Sequence, residues 1–171
     1  AGAWIIGEDL GTVQPEVRER LAASGILSYR LLIFSGTDAS AYPEQALAAI
    51  TTHDLPTVAG LWSGADLEQQ RRAGVVPDVA SAAQLRGRVA SLVPSGSSAA
   101  DAVLAAHRWL AGTRSTLVAA TLEDALLVEE RPNLPGTTSE QSPNWSVALP
   151  RTLDEIKQDR FVAQLAEVLR A

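Results

Sequence analysis

Short apolar runs alternate with amphipathic segments along this chain, and most of the runs stop abruptly at polar or acidic residues. Trp4-Ile5-Ile6 reads as a buried strand that Gly7 leads out of, toward Glu8 and Asp9. Pro15 followed by Glu16 suits a helix start, because proline tolerates the first turn and a carboxylate favours the positive end of the helix. Val17, Leu21 and the closing Gly25 complete a short amphipathic helix. Residues 27–34 turn apolar again, interrupted by Ser28 and Arg30, and predict a second strand. Pro43 and Glu44 predict a further helical segment running into Leu47-Ala48-Ala49-Ile50, with a third strand ending near Thr51.

Residues 66–112 carry a helical pattern. Leu85, Val89 and Leu92 share one face, Val103, His107 and Leu110 share another, and Pro94-Ser95-Gly96-Ser97-Ser98 forms the loop between them. His107 and Trp109 read as core residues. Residues 117–120 predict a fourth strand, and Thr121-Leu122-Glu123-Asp124 predicts a capping box that opens a short helix. A long polar loop follows, with Asn133-Leu134-Pro135-Gly136-Thr137 and Pro143-Asn144-Trp145. Thr152 with Glu155 caps a terminal helical region whose buried face is Phe161, Leu165, Val168 and Leu169. Strands alternating with helices predict a parallel α/β sheet, a single region over residues 1–171. Four such strands are half of an eight-stranded barrel and would leave two open edges.

Composition narrows the chemistry. With 171 residues, 46% of them hydrophobic, the chain is long enough to bury a sizeable core. Its 14 Lys and Arg against 20 Asp and Glu give a net charge of −6, and no basic run is present to neutralise phosphates, so nucleic acid is a poor partner. The absence of Cys excludes disulfides and thiolate metal sites, and 2 His are too few for a zinc cage. The apolar stretch at 99–120 is interrupted by Asp101, His107, Arg108 and Arg114, so it does not read as a membrane span. No secretory leader is recognisable, and a cytoplasmic location is expected. Met is absent throughout, which reads as a piece of a longer polypeptide.

Two acidic positions carry the candidate chemistry. Glu8 and Asp54 each follow an apolar run, so both are expected on the rim where parallel strands end, as a pair of carboxylates working on a sugar ring. Glu8 is the candidate general acid/base, with apolar Trp4 and Ile6 and the adjoining Asp9 expected to favour its protonated form. Asp54, with His53 before it, suits the stabilisation of positive charge on a distorted ring. Trp62 and Trp145 offer stacking faces, and Asn133 and Asn144 offer amides for sugar hydroxyls. Taken singly, these residues have plainer readings: Glu8 as a capping or solvated carboxylate, Asp54 as an Asp before a proline turn, and both asparagines as turn residues. No phosphate-cradling glycine loop, nucleophile elbow or metal-spaced acidic cluster is present.

Taken together, Ile6-Gly7-Glu8-Asp9-Leu10-Gly11, Ser28-Tyr29-Arg30, Thr51-Thr52-His53-Asp54-Leu55-Pro56-Thr57, Leu122-Glu123-Asp124, Asn133-Leu134-Pro135-Gly136-Thr137 and Pro143-Asn144-Trp145 resemble the C-terminal part of the 4-alpha-glucanotransferases, the amylomaltases or disproportionating enzymes of glycoside hydrolase family 77. The resemblance implies the second half of a (β/α)8 barrel, with Glu8 as acid/base after the fifth barrel strand and Asp54 as transition-state stabiliser after the seventh. It implies that His53 and Asn133 bind donor sugar, and that the nucleophilic Asp follows the fourth strand, upstream of Ala1. The implied substrates are maltodextrin, starch or glycogen chains, and no cofactor is implied. The remainder of the catalytic barrel would be a structural partner, and without the nucleophile the chain alone would be inactive. Competing expectations are an α-glucan hydrolase and a non-catalytic glucan-binding or assembly module.

Overall fold

A computed structural model describes residues 2–34 and 38–170. Four strands form one parallel sheet in the order β1-β2-β3-β4: β1 Ile6–Gly7, β2 Leu27–Leu31, β3 Ala46–Ala49 and β4 Leu117–Ala119. Ile6 pairs with Leu27, Ser28 with Ala46, and Ala49 with Ala119. Because every strand runs the same way, the segment leaving each one emerges on the same rim. The helices are α1 Pro15–Ala23, α2 Val58–Ser63, α3 Ala65–Arg72, α4 Val79–Ala90, α5 Ala99–Ala111, α6 Leu122–Ala125, α7 Leu153–Gln158 and α8 Arg160–Val168. Helix α5 is central, packing against α2, α4 and α8. One core unites Leu31, Ile33 and Ile50 from the sheet side with Val58, Val103 and Leu110 from the helices.

Where the structure departs from the pattern, the causes are physical. The expected helix after Pro43 and Glu44 is absent; Ala46–Ala49 is instead a strand paired on both sides. An Ala-rich run has strong helix propensity, but Ala46 and Ala48 are fully buried between β2 and β4, where small side chains let the sheet be covered closely. The second strand ends at Leu31 rather than Phe34, because the Phe34 N–H turns back to the Leu31 carbonyl at 3.2 Å. The first strand is shorter and more open than expected, with Trp4 and Ile5 each 61% exposed along the β1 edge. Helix α2 was not marked by the pattern; Thr57 caps it by accepting the Gly60 N–H at 3.0 Å.

Two caps show how far local signals carry. Thr152 and Glu155 make the complete reciprocal box at the start of α7. At α6 only half of the expected box forms: the Thr121 hydroxyl accepts the Asp124 N–H at 3.2 Å, while the Asp124 carboxylate turns away to accept the Val58 N–H at 2.8 Å, at the first residue of α2. His107 is fully buried with Nδ1 2.7 Å from the Val103 carbonyl, and Trp109 meets Tyr42 edge-to-face at 5.1 Å. Leu165 is the buried residue of α8, with Phe161, Val162 and Leu169 at the margin of the core. No helix among the described residues is long and apolar enough to cross a membrane.

Candidate active site

The segment leaving β3 is shaped by its own threonines. The Thr51 hydroxyl donates to the Pro56 carbonyl at 2.9 Å, the Thr52 hydroxyl accepts the Asp54 N–H at 3.3 Å, and Thr57 caps α2 while donating to the Val128 carbonyl at 2.7 Å. These bonds bend residues 51–57 into a tight excursion that presents His53 and Asp54 beyond the sheet rim. Asp54 is then fixed from across the chain: Asn133 Nδ2 donates to its Oδ1 at 2.7 Å, and Arg131 Nη1 donates to its backbone carbonyl at 2.9 Å. His53 Nε2 lies 3.4 Å from the same Asp54 Oδ1, and the His53 carbonyl accepts the Asn133 N–H at 3.2 Å. Asp54 and Asn133, distant in sequence, therefore form one constellation.

Trp145 completes that side. Its backbone has φ 61°, an uncommon conformation for an aromatic residue, and its N–H donates to the Pro132 carbonyl at 2.9 Å. The indole consequently sits 4.9 Å from the His53 ring, centre to centre and tilted 52° to it, and remains exposed to solvent. His53 and Trp145 line a cavity of about 420 Å³ together with Tyr29, Thr52, Thr121 and Glu123. A cavity with an aromatic wall and a few polar groups suits a polar ligand with an apolar face, such as a pyranose ring.

Glu8 follows β1 directly and so lies on the same rim as Asp54, although neither carboxylate is among the cavity walls. Its link to the cavity is electrostatic. Burial raises the Tyr29 phenol above its ordinary value, and the Glu8 charge adds to that rise. The apolar enclosure expected around Glu8 is not found: Glu8 is exposed, Trp4 is 61% exposed and Ile6 is 40% exposed. Nor does Asp9 crowd it with a bare charge. Asp9 is buried and accepts from Arg30 Nη1 at 2.8 Å, Arg18 Nε at 3.0 Å and the Tyr29 N–H at 2.7 Å. Burial alone would raise the Asp9 carboxyl, but these three donors outweigh it and hold it below the usual value. Asp9 is thus an anchor that ties the segment after β1 to β2 and α1.

The structure does not bring every expected residue to this site. Trp62 is on α2, where its indole N–H donates to the Ser97 carbonyl at 3.1 Å and Arg86 stacks over its ring at 5.4 Å, beside a different cavity. The guanidinium covers one face of the ring, and Trp62 is not among the residues that line the cavity beside His53. Asn144 is likewise spent internally: Oδ1 accepts the Leu134 N–H at 2.9 Å and Nδ2 donates to the Thr137 hydroxyl at 2.8 Å. It braces the loop that carries Asn133 and Trp145. Tyr29, in the middle of β2, and Glu123, in the first turn of α6, also line the cavity, and both lie inside phrases of the resemblance, which is the signal the sequence carries for them.

Comparisons with known proteins concern the chain as a whole. The chain matches the family described as 4-alpha-glucanotransferase over residues 1–153. It is 37% identical over 201 residues to the 4-alpha-glucanotransferase of Mycobacterium tuberculosis, an alignment covering 100% of this chain and 28% of the relative. With the Haemophilus influenzae 4-alpha-glucanotransferase the identity is 33% over 174 residues, covering 87% of this chain and 25% of that protein. The crystal structure of amylomaltase from Corynebacterium glutamicum superposes with a TM-score of 0.83 at 28% identity, over 98% of this chain and 29% of that one. Amylomaltase from Streptococcus agalactiae, solved with acarbose, shares the fold with a TM-score of 0.65 at 20% identity. The chain therefore spans little more than a quarter of the length of the curated relatives it matches.

Proposed function

The chain belongs to the 4-alpha-glucanotransferase family, glycoside hydrolase family 77, and from that premise we propose that it is the C-terminal region of a retaining enzyme that moves α-1,4-glucan segments between maltodextrin, starch or glycogen chains. The observation that carries this reading is the fixed Asp54 carboxylate, held by Asn133 beside His53 on the rim from which Glu8 also emerges. In this reading Glu8 protonates the departing glycosidic oxygen while a carboxylate from the preceding barrel strand of the complete enzyme attacks the anomeric carbon. Asp54 stabilises the positive charge that builds on the ring as the bond breaks. Glu8, now ionised, then takes the proton from the 4-hydroxyl of an acceptor glucan, whose oxygen displaces the enzyme carboxylate and restores the original anomeric configuration.

Transfer rather than hydrolysis requires a sugar acceptor to be favoured over water. The exposed Trp145 indole beside His53 supports an acceptor or donor ring packing there and excluding water. The exposed Trp4 and Ile5 beside β1 support the seating of the remaining barrel strands, which would bury them. A cytoplasmic location, where storage glucans and maltodextrins are handled, goes with the same reading.

The test is Glu8→Gln in the full-length enzyme. Turnover on maltotriose is expected to fall about 100- to 10,000-fold while glucan binding persists; a rate near that of the parent removes Glu8 from the acid/base role. The parent enzyme is expected to convert maltotriose to glucose plus longer maltodextrins. Glucose and maltose without elongation would instead identify a hydrolase.

A further inference from the structure

Behind Asp54, away from the cavity, stands a buried ionic group that the chemistry above does not use. The Arg131 side chain is 8% exposed and the Asp66 side chain 3%, and they pair through Arg131 Nη2 and through Nε at 2.8 Å, both on Asp66 Oδ1. Asp66 Oδ2 accepts from Gln70 at 2.9 Å. Gln69 holds the backbone of the same arginine from both ends: its Oε1 accepts the Arg131 N–H at 3.1 Å and its Nε2 donates to the Arg131 carbonyl at 3.3 Å. Arg131 is therefore fastened to α3 by side chain and main chain alike. Its remaining contact is Nη1, which donates to the Asp54 carbonyl at 2.9 Å.

The arrangement fixes two things at once. A planar guanidinium held on one side by a carboxylate has little freedom to tilt, so the position of the Asp54 carbonyl follows the position of α3. Two residues beyond Arg131, Asn133 donates to Asp54 Oδ1 and to the His53 carbonyl. Clamping residue 131 to α3 thus sets the register of Asn133 against Asp54 as well. Burying an ion pair of this kind is weak evidence of a gain in stability, because desolvating both charges offsets much of their attraction. What the pair does supply is direction.

We infer that Arg131, with Asp66 and Gln69 behind it, is a positioning residue for Asp54: it aims the carboxylate at the sugar ring without touching substrate. The inference rests on the reading of Asp54 as transition-state stabiliser. Arg131→Lys retains the charge but cannot bridge Asp66 and the Asp54 carbonyl together.

The experiment is a double-mutant cycle in the full-length enzyme, read as kcat and KM on maltotriose and as acarbose affinity by calorimetry. Arg131→Lys is expected to lower kcat about 10- to 100-fold with KM within about threefold of the parent, and to weaken acarbose in the parent background. Once Asp54→Asn is present, Arg131→Lys is expected to weaken acarbose no further. If Arg131→Lys does not accumulate as folded protein, the near-isosteric Asp66→Asn replaces it with the same expectations. A kcat within twofold of the parent, or an equal loss of acarbose affinity in both backgrounds, overturns the positioning role. An Asp54→Asn enzyme with parental turnover and affinity overturns the underlying assignment of Asp54.

Discussion

Asp124→Asn offers a direct test of how this fold handles a buried carboxyl. Asp124 is 1% exposed, one oxygen accepts the Val58 N–H at 2.8 Å, and no partner is found for the other among the described residues. Burial raises its pKa, the Val58 N–H opposes that, the neighbouring Glu123 charge adds to the rise, and the Thr121 hydroxyl lowers it, leaving the group pushed up from 3.8 to about 6. Between those two values the folded state holds more protons than the unfolded state, so stability must fall as pH rises through the interval, and level off above it. The size of that loss is about 3 kcal/mol. Asn keeps an oxygen for the Val58 N–H and replaces the unpartnered oxygen with an amide, a substitution whose cost of about 1–3 kcal/mol does not depend on pH. Urea denaturation of parent and variant across this range isolates the group, because every other titrating carboxyl cancels in the difference. The parent is expected to lose about 3 kcal/mol relative to Asp124→Asn between pH values below 3.8 and above 6. A difference that stays constant with pH, or runs the other way, refutes the burial argument.

Asp9 should behave oppositely: its lowered pKa means a stabilising contribution that is fully present above the unfolded value of 3.8 and is lost as pH falls through the lower folded value. Asp9→Ala, which removes the carboxylate that Arg30 and Arg18 share, is expected to cost about 3 kcal/mol at neutral pH by chemical denaturation, and a loss below about 1 kcal/mol would mean that both guanidiniums are rehydrated freely. Gly60→Ala would drive its new methyl into the Glu129 carbonyl oxygen, where α2 meets the segment leading to Asn133. It is expected to cost about 1–3 kcal/mol, visible as a lowered melting temperature, and an unchanged melting curve would contradict so close an approach.

Residues whose role is set within one turn of chain are legible in the sequence. The Thr152–Glu155 box, the proline start of α1 and the fourth strand all follow from neighbours a few positions apart. The expectation that Glu8 and Asp54 share one rim also follows, because each ends an apolar run and the strands are parallel. The extent of the third strand over Ala46–Ala49 was not legible, because a short, mostly buried run has no alternating face to distinguish strand from helix. Side chains with two plausible partners were also undecidable. Trp62 could stack on a sugar or on Arg86, and Asn144 could bond a ligand or its own loop; the structure spends each on the internal partner.

Sequence alone determined the alternation of strands with helices, the Thr152–Glu155 cap and the ordered phrases that identify the family, since these depend on short-range backbone preferences written in adjacent side chains. Tertiary structure decided the long-range pairings: the Asp124 carboxylate to the start of α2, and the Arg131 guanidinium to the carbonyl of a residue 77 positions away. Such contacts form only when packing of the apolar faces has already brought separated segments together. Their energies therefore belong to the closed fold and leave no periodic trace along the chain.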